Sequence, residues 1–121
     1  MLIIAAILLL LCGLVHSILG ERYLLRRLFK RDNLPHLFGS DAFTKGTLRF
    51  AWHITTFCWF GFAALLLLLP DSTALLFTVG LIFFGSGVLS AYYTKGKHLS
   101  WLLFFAISGL SFGSMVAGGI S

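Results

Sequence analysis

Two histidines interrupt apolar runs, His16 in LVHSILGERYLL and His53 in LRFAWHITTFCW. An imidazole titrates near neutral pH, ligates metals and hydrogen-bonds through two distinct nitrogens, so inside a hydrocarbon-like stretch it asks for a partner. Ser17, Glu21 and Arg22 follow the first histidine; Arg49, Trp52, Thr55 and Thr56 surround the second. Arg49 and His53 lie one helical turn apart on one face. His98 precedes another apolar run, with Tyr92 and Tyr93 just before it. Four chemistries are open to this set. The plainest is structural: His16 and His53 tie helices together, and Glu21 pairs with Arg49 at a helix end. His16, His53 and His98, with Glu21, are also suitable ligands for a divalent metal such as zinc. No two of these ligands have the i, i+3 or i, i+4 spacing of a helix-borne site, so closure would rest on tertiary geometry. Alternatively, His16 and His53 could ligate a haem between helices, or hydrogen-bond a quinone. Finally, the layer could relay protons or admit a polar substrate.

Catalysis has less support. Ser17 stands beside His16 in sequence, but neighbours on a helix point about 100° apart, so His-Ser is not a nucleophile and its base. Paired carboxylates, a phosphate loop and a CxxC pair are all missing from the sequence, and no catalytic residue is assigned. Cys12 and Cys58 read as small packing residues within apolar runs. His36 and Asp41 read as solvated loop residues.

The elements that must hold these groups are legible in the composition. Of 121 residues, 59% are hydrophobic and 11% charged, more apolar surface than a soluble chain of this size could cover. Four stretches reach the roughly 20 residues a helix needs to cross a bilayer: 2–20, 50–69, 73–94 and 99–120. Spanning backbone must satisfy its own hydrogen bonds, and the runs lack strand alternation, so the fold class is all-α, an integral membrane four-helix bundle in a single domain. Pro70 ends the second helix, Asp71 or Ser72 can cap the third, and TKGKHLS forms the last turn.

The net charge of +5 does not point to nucleic acid. Every lysine and arginine lies between Arg22 and Arg49 or at Lys95 and Lys97, as in loops on one membrane face. That pattern places the loops in the cytoplasm and both termini outside an inner membrane. The positive charges follow the first apolar stretch, unlike those of a signal peptide. In the long loop 21–49, Leu24, Leu25, Leu28 and Phe29 oppose Arg26, Arg27, Lys30 and Arg31. Such an amphipathic helix lies in the headgroup layer or prolongs the first span, with Arg22, Arg26, Arg27, Lys30 and Arg31 facing anionic lipid. Ser40 or Asp41 can cap a short helix leading into FTKGTLRFAWH.

Membrane helices associate through small residues. Gly109, Gly113 and Ala117 recur every four residues on the fourth span, and Gly80, Gly87 and Ala91 form a comparable stripe on the third. The spacing predicts close packing of these two helices and suits a homo-oligomer or larger membrane complex equally well. Cys12, Gly13 and Gly20 flank His16, which turns that ring toward a neighbouring helix. Counted from the helix ends, His16 and His53 both sit about 6 Å inside, at one depth on the basic side.

The strings HSILGERYLLRRLF and LRFAWHITTFCW resemble the HSxxGER and RFAWH patterns of small bacterial inner-membrane proteins of unknown function. The resemblance covers the first two helices and their loop. It implies a bacterial four-helix membrane protein with motif positions His16, Ser17, Glu21, Arg22, Arg49, Trp52 and His53, and it supplies no activity. The leading expectation is a binding or accessory protein holding a ligand, cofactor or partner subunit at a polar site centred on His16 and His53, with Ser17, Glu21, Arg49, Trp52 and His98 around it. A small transporter, channel or proton-relay component, oligomeric, comes second, and an enzyme third.

Overall fold

The computed structural model describes residues 1–120, the side chain of Ile120 excepted. Four long helices make an all-α bundle: α1 (Leu2–Leu28), α2 (Ala42–Leu68), α3 (Thr73–Thr94) and α4 (Ser100–Ile120). Each is long and apolar enough to cross a membrane, the architecture of a multi-pass membrane protein. α1 packs along α2, α3 packs along α4, and the pairs join chiefly through α1 against α4. Leu9, Leu66, Val79, Phe83 and Ile107, one or more from each helix, are fully buried at the centre. Elsewhere large apolar residues such as Ile3, Phe57 and Leu81 point outward, as they do when lipid is the solvent.

Two helices run further than the hydropathy predicts. α1 continues through GERYLL as a π-helical segment, Gly20–Leu25, and regains α geometry to Leu28. Its amphipathic end therefore prolongs the first span. α2 begins at Ala42, so the expected short helix before RFAWH is its first two turns. At 1.5 Å per residue, α2 is about 40 Å long against a hydrocarbon core of about 30 Å. Counting roughly 20 residues from the far ends, Leu2 and Leu68, arrives at Glu21 and Arg49. Both helices therefore carry their charged ends beyond one apolar boundary.

The turns are set by local chemistry. Leu69, before Pro70, leaves the helical region (φ −128°, ψ 53°), as a residue preceding proline tends to. Ser72, not Asp71, caps α3: its hydroxyl accepts from the Leu75 N–H at 3.3 Å. Ser72→Ala is therefore expected to lower stability by about 1 kcal/mol in chemical denaturation, and Asp71→Ala to leave it within a few tenths. At the start of α2 the Ser40 hydroxyl accepts from the Ala42 N–H at 3.3 Å. Asp41 pairs with Lys45 one turn on, at 2.9 Å, and that hydrogen bond holds the Asp41 carboxyl below its ordinary range. The stabilisation from this pair is present at neutral pH and is lost as pH falls through the lowered value.

α3 and α4 pack closely, as their glycines predict, but the small-residue stripes do not meet each other. Gly80 and Gly87 do mark the contact, but each receives an aromatic ring, Phe112 and Phe105 respectively. The buried Ser108 hydroxyl donates to the Gly80 carbonyl at 2.8 Å, which the absence of a Cβ leaves approachable. Gly109 and Ala117 face outward, and Gly113 approaches only the side chain of Met1. Rings on one helix need glycines on the other, and α4 contributes the rings.

Candidate functional site

The antiparallel pair α1 and α2 assembles the polar residues at its basic end. Gly20 sits against the indole of Trp52, whose Nε1 fills the place a Cβ would take. That proximity allows a reciprocal clamp. The Trp52 indole N–H donates to the His16 carbonyl at 2.9 Å, and the His16 ring donates from Nε2 to the Trp52 carbonyl at 3.1 Å. The two rings stack at 4.4 Å, within 3° of parallel, and Trp59 meets His16 edge-on at 4.9 Å. The donation fixes the proton of His16 on Nε2.

One turn nearer the loop, Glu21 gathers cations from α2. Its carboxylate accepts from Arg49 Nη2 at 2.7 Å, from Arg49 Nε at 3.2 Å and from His53 Nε2 at 3.0 Å. The Arg49 guanidinium also lies over the Phe29 ring at 4.9 Å. Arg49 and His53, one turn apart on one face, thus both reach one carboxylate. On its other side, His53 Nδ1 lies 2.9 Å from the Ser17 hydroxyl, which lies 2.6 Å from the Thr56 hydroxyl. Thr56 in turn lies 3.2 Å from the Gly13 carbonyl.

Proton counting gives this chain a direction. A carboxylate only accepts, so Glu21 requires the proton of a neutral His53 ring to be on Nε2. Nδ1 is then a bare lone pair, and Ser17 must donate to it. With a second proton on His53 the order reverses: Nδ1–H donates to Ser17, Ser17 donates to Thr56, and Thr56 donates to Gly13. The chain ends on that carbonyl, which has no proton to pass on.

Beside it lies an open groove of about 400 Å³, lined by Ser17, Ile18, Glu21, Arg22, Arg26 and His53. The π segment turns Glu21 toward α2 and leaves Arg22 and Arg26 on the groove wall. Glu21 is committed to Arg49 and His53, and Asp41 to Lys45. The groove therefore presents two guanidinium groups with no acid of their own among the ion pairs of the described residues.

Several sequence-derived candidates are not brought to this site. His98 belongs to the turn between α3 and α4, where its Nδ1 meets the Ser100 hydroxyl at 2.8 Å and its N–H donates to Thr94. Among the described residues no three of His, Cys, Asp and Glu gather as a metal set, so His16, His53 and His98 do not form the expected cage. Haem fits poorly too: both nitrogens of His53 and Nε2 of His16 already serve protein partners, and Trp52 covers one face of His16. Arg27 lies near the Tyr23 ring at 5.9 Å, Arg31 bonds Asn33, and Lys30 is exposed outside the groove. Trp59 and Phe29 are contacts the sequence reading missed. The seven-residue step from Trp52 to Trp59, two turns on one face, was the available signal for the first. No family model matches this chain, and no curated protein or solved structure matches it.

Proposed function

We propose that this is an inner-membrane protein whose groove between α1 and α2 holds an anionic amphiphile at the cytoplasmic boundary of the bilayer. The observation that carries the reading is the groove's lining. Arg22 and Arg26 stand at its wall, Ile18 offers an apolar side, and Ser17 and His53 complete the lining. An anionic headgroup would face the guanidiniums while its chain stays with lipid. The clustering of basic residues on the loop side supports a cytoplasmic placement of this end, with both termini outside. A proton relay is the weaker reading: Glu21, His53, Ser17 and Thr56 form a relay in outline, but its end on the Gly13 carbonyl offers no onward path.

Photoactivatable phosphatidylglycerol in phosphatidylcholine vesicles tests the reading. The expected result is crosslinking to the 17–26 segment, with a phosphatidylcholine probe reacting far less. At about 1 kcal/mol per basic residue near the surface, Arg22→Gln with Arg26→Gln should weaken capture roughly 10- to 30-fold. Equal capture of both lipids, or no change in the double variant, would sink the proposal.

A further inference from the structure

We propose that Ser17, His53 and Glu21 form a nucleophile, base and orienting acid, and that the groove cleaves or transfers an acyl ester of an anionic amphiphile. The inference rests on the groove holding such a molecule. Its basis is a side-chain sequence drawn from two helices: Ser17 Oγ to His53 Nδ1 at 2.9 Å, and His53 Nε2 to Glu21 Oε2 at 3.0 Å. Acyl-transfer sites need this order of roles, whatever the fold, with the third group fixing the tautomer of the second. Here the ring is used in the sense that turns Nδ1 toward the hydroxyl. Glu21 is itself held by Arg49 through two contacts, and Arg49 by Phe29, so the orienting carboxylate is locked in turn.

Three further features suit ester chemistry. All three residues line the same open groove, so the nucleophile is reachable. Glu21 lies about where the hydrocarbon core ends, and Ser17 about one turn inside, near the depth of the ester carbonyls that join acyl chains to lipid headgroups. Arg22 and Arg26 supply positive charge on the groove wall, where a headgroup anion needs it. The reaction balances with water as the second substrate. Ser17 Oγ bonds to the ester carbonyl carbon as its proton passes to His53 Nδ1. The carbon–alkoxide bond breaks, and that proton leaves with the alcohol. Water then attacks the acyl-serine with His53 as base, releasing the carboxylic acid and restoring Ser17. The neighbouring Thr56 hydroxyl, 2.6 Å from Ser17, can donate to the serine oxygen once its own proton has gone. Ser17 and His53 act on the substrate; Glu21 is a positioning residue.

A fluorophosphonate probe, which bonds to an activated serine oxygen with loss of fluoride, tests this on the full chain in vesicles. Peptide mass spectrometry of the wild type should find the adduct on Ser17 alone. Ser17→Ala should abolish it, and His53→Ala should slow it at least about 100-fold. Glu21→Gln, nearly isosteric but uncharged, should slow labelling and Glu21→Asp should restore part of the rate, a dependence on the carboxylate that loss of packing alone would not show. Labelling absent from folded wild type, found on another serine, or indifferent to His53 overturns the inference. Lipid capture without labelling would leave the binding reading standing and retire only the chemistry. Labelling without capture would retire the binding reading and keep the nucleophile.

Discussion

Gly20→Ala is expected to lower the stability of the bundle by about 2–4 kcal/mol, read as a depressed midpoint of thermal unfolding in detergent. The added methyl would stand where the Trp52 indole now lies. That indole cannot simply swing aside, because it donates to the His16 carbonyl, stacks on the His16 ring and sits between two helices. Overpacking of this kind costs about 1–3 kcal/mol, and an interhelical hydrogen bond in a membrane adds about 0.6–1.7 kcal/mol when lost. Two other glycines calibrate the result. Gly61→Ala meets open space and should be neutral or mildly stabilising. Gly80→Ala meets the outer end of the partly exposed Phe112 ring, which can turn, so its effect should be smaller than that of Gly20→Ala. Equal effects at all three positions would show that the clamp contributes nothing specific.

Glu21→Ala is the second large perturbation. It removes the acceptor of three contacts and leaves Arg49 and His53 facing each other across the vacated position. Hydrogen bonds to charged groups contribute about 1.5–3 kcal/mol each when sheltered. Here the Arg49 side chain is 47% exposed and can rehydrate, so the total loss should be about 1–3 kcal/mol. An exposed surface pair would give well under 1 kcal/mol and vanish in molar salt, so the same measurement at high salt separates the two cases. A double-mutant cycle adds a sharper test. Glu21 and Ser17 meet through His53, so Glu21→Gln and Ser17→Ala should be non-additive by at least about 0.5 kcal/mol. Additivity would mean that His53 does not link them.

Part of this architecture is legible in the sequence. The four spans and the turn at Pro70 are, because hydropathy and proline act locally. The common depth of His16 and His53 is also readable, since it follows from counting residues at a fixed rise. Rotation about the helix axis and the order of packing are not. Sequence position therefore groups His98 with the other two histidines, although the turn that carries it leads into a helix paired with α3 and not with α2. Sequence adjacency likewise offers Ser17 only its chain neighbour His16. Its imidazole partner comes from 36 positions away, on a helix running the other way. Nor does the alternation of leucines and arginines after Gly20 announce a π segment, because that pattern fits α and π spacing over so few residues equally well.

The widened turn has a geometric consequence for everything that follows it. In an uninterrupted α-helix, eight residues from Glu21 to Phe29 rotate by about 800°, leaving Phe29 about 80° off the direction of Glu21. A π turn absorbs roughly one residue and takes back about 100°, which returns Phe29 to nearly the same azimuth. The Arg49 guanidinium is therefore gripped from a carboxylate below and a ring above. Deleting a single residue from 20–25 would therefore be harmless to this grip, since seven regular steps turn about 700° and leave the ring where it is, whereas straightening the segment to plain α geometry at its full length would swing the aromatic lid off the cation it covers.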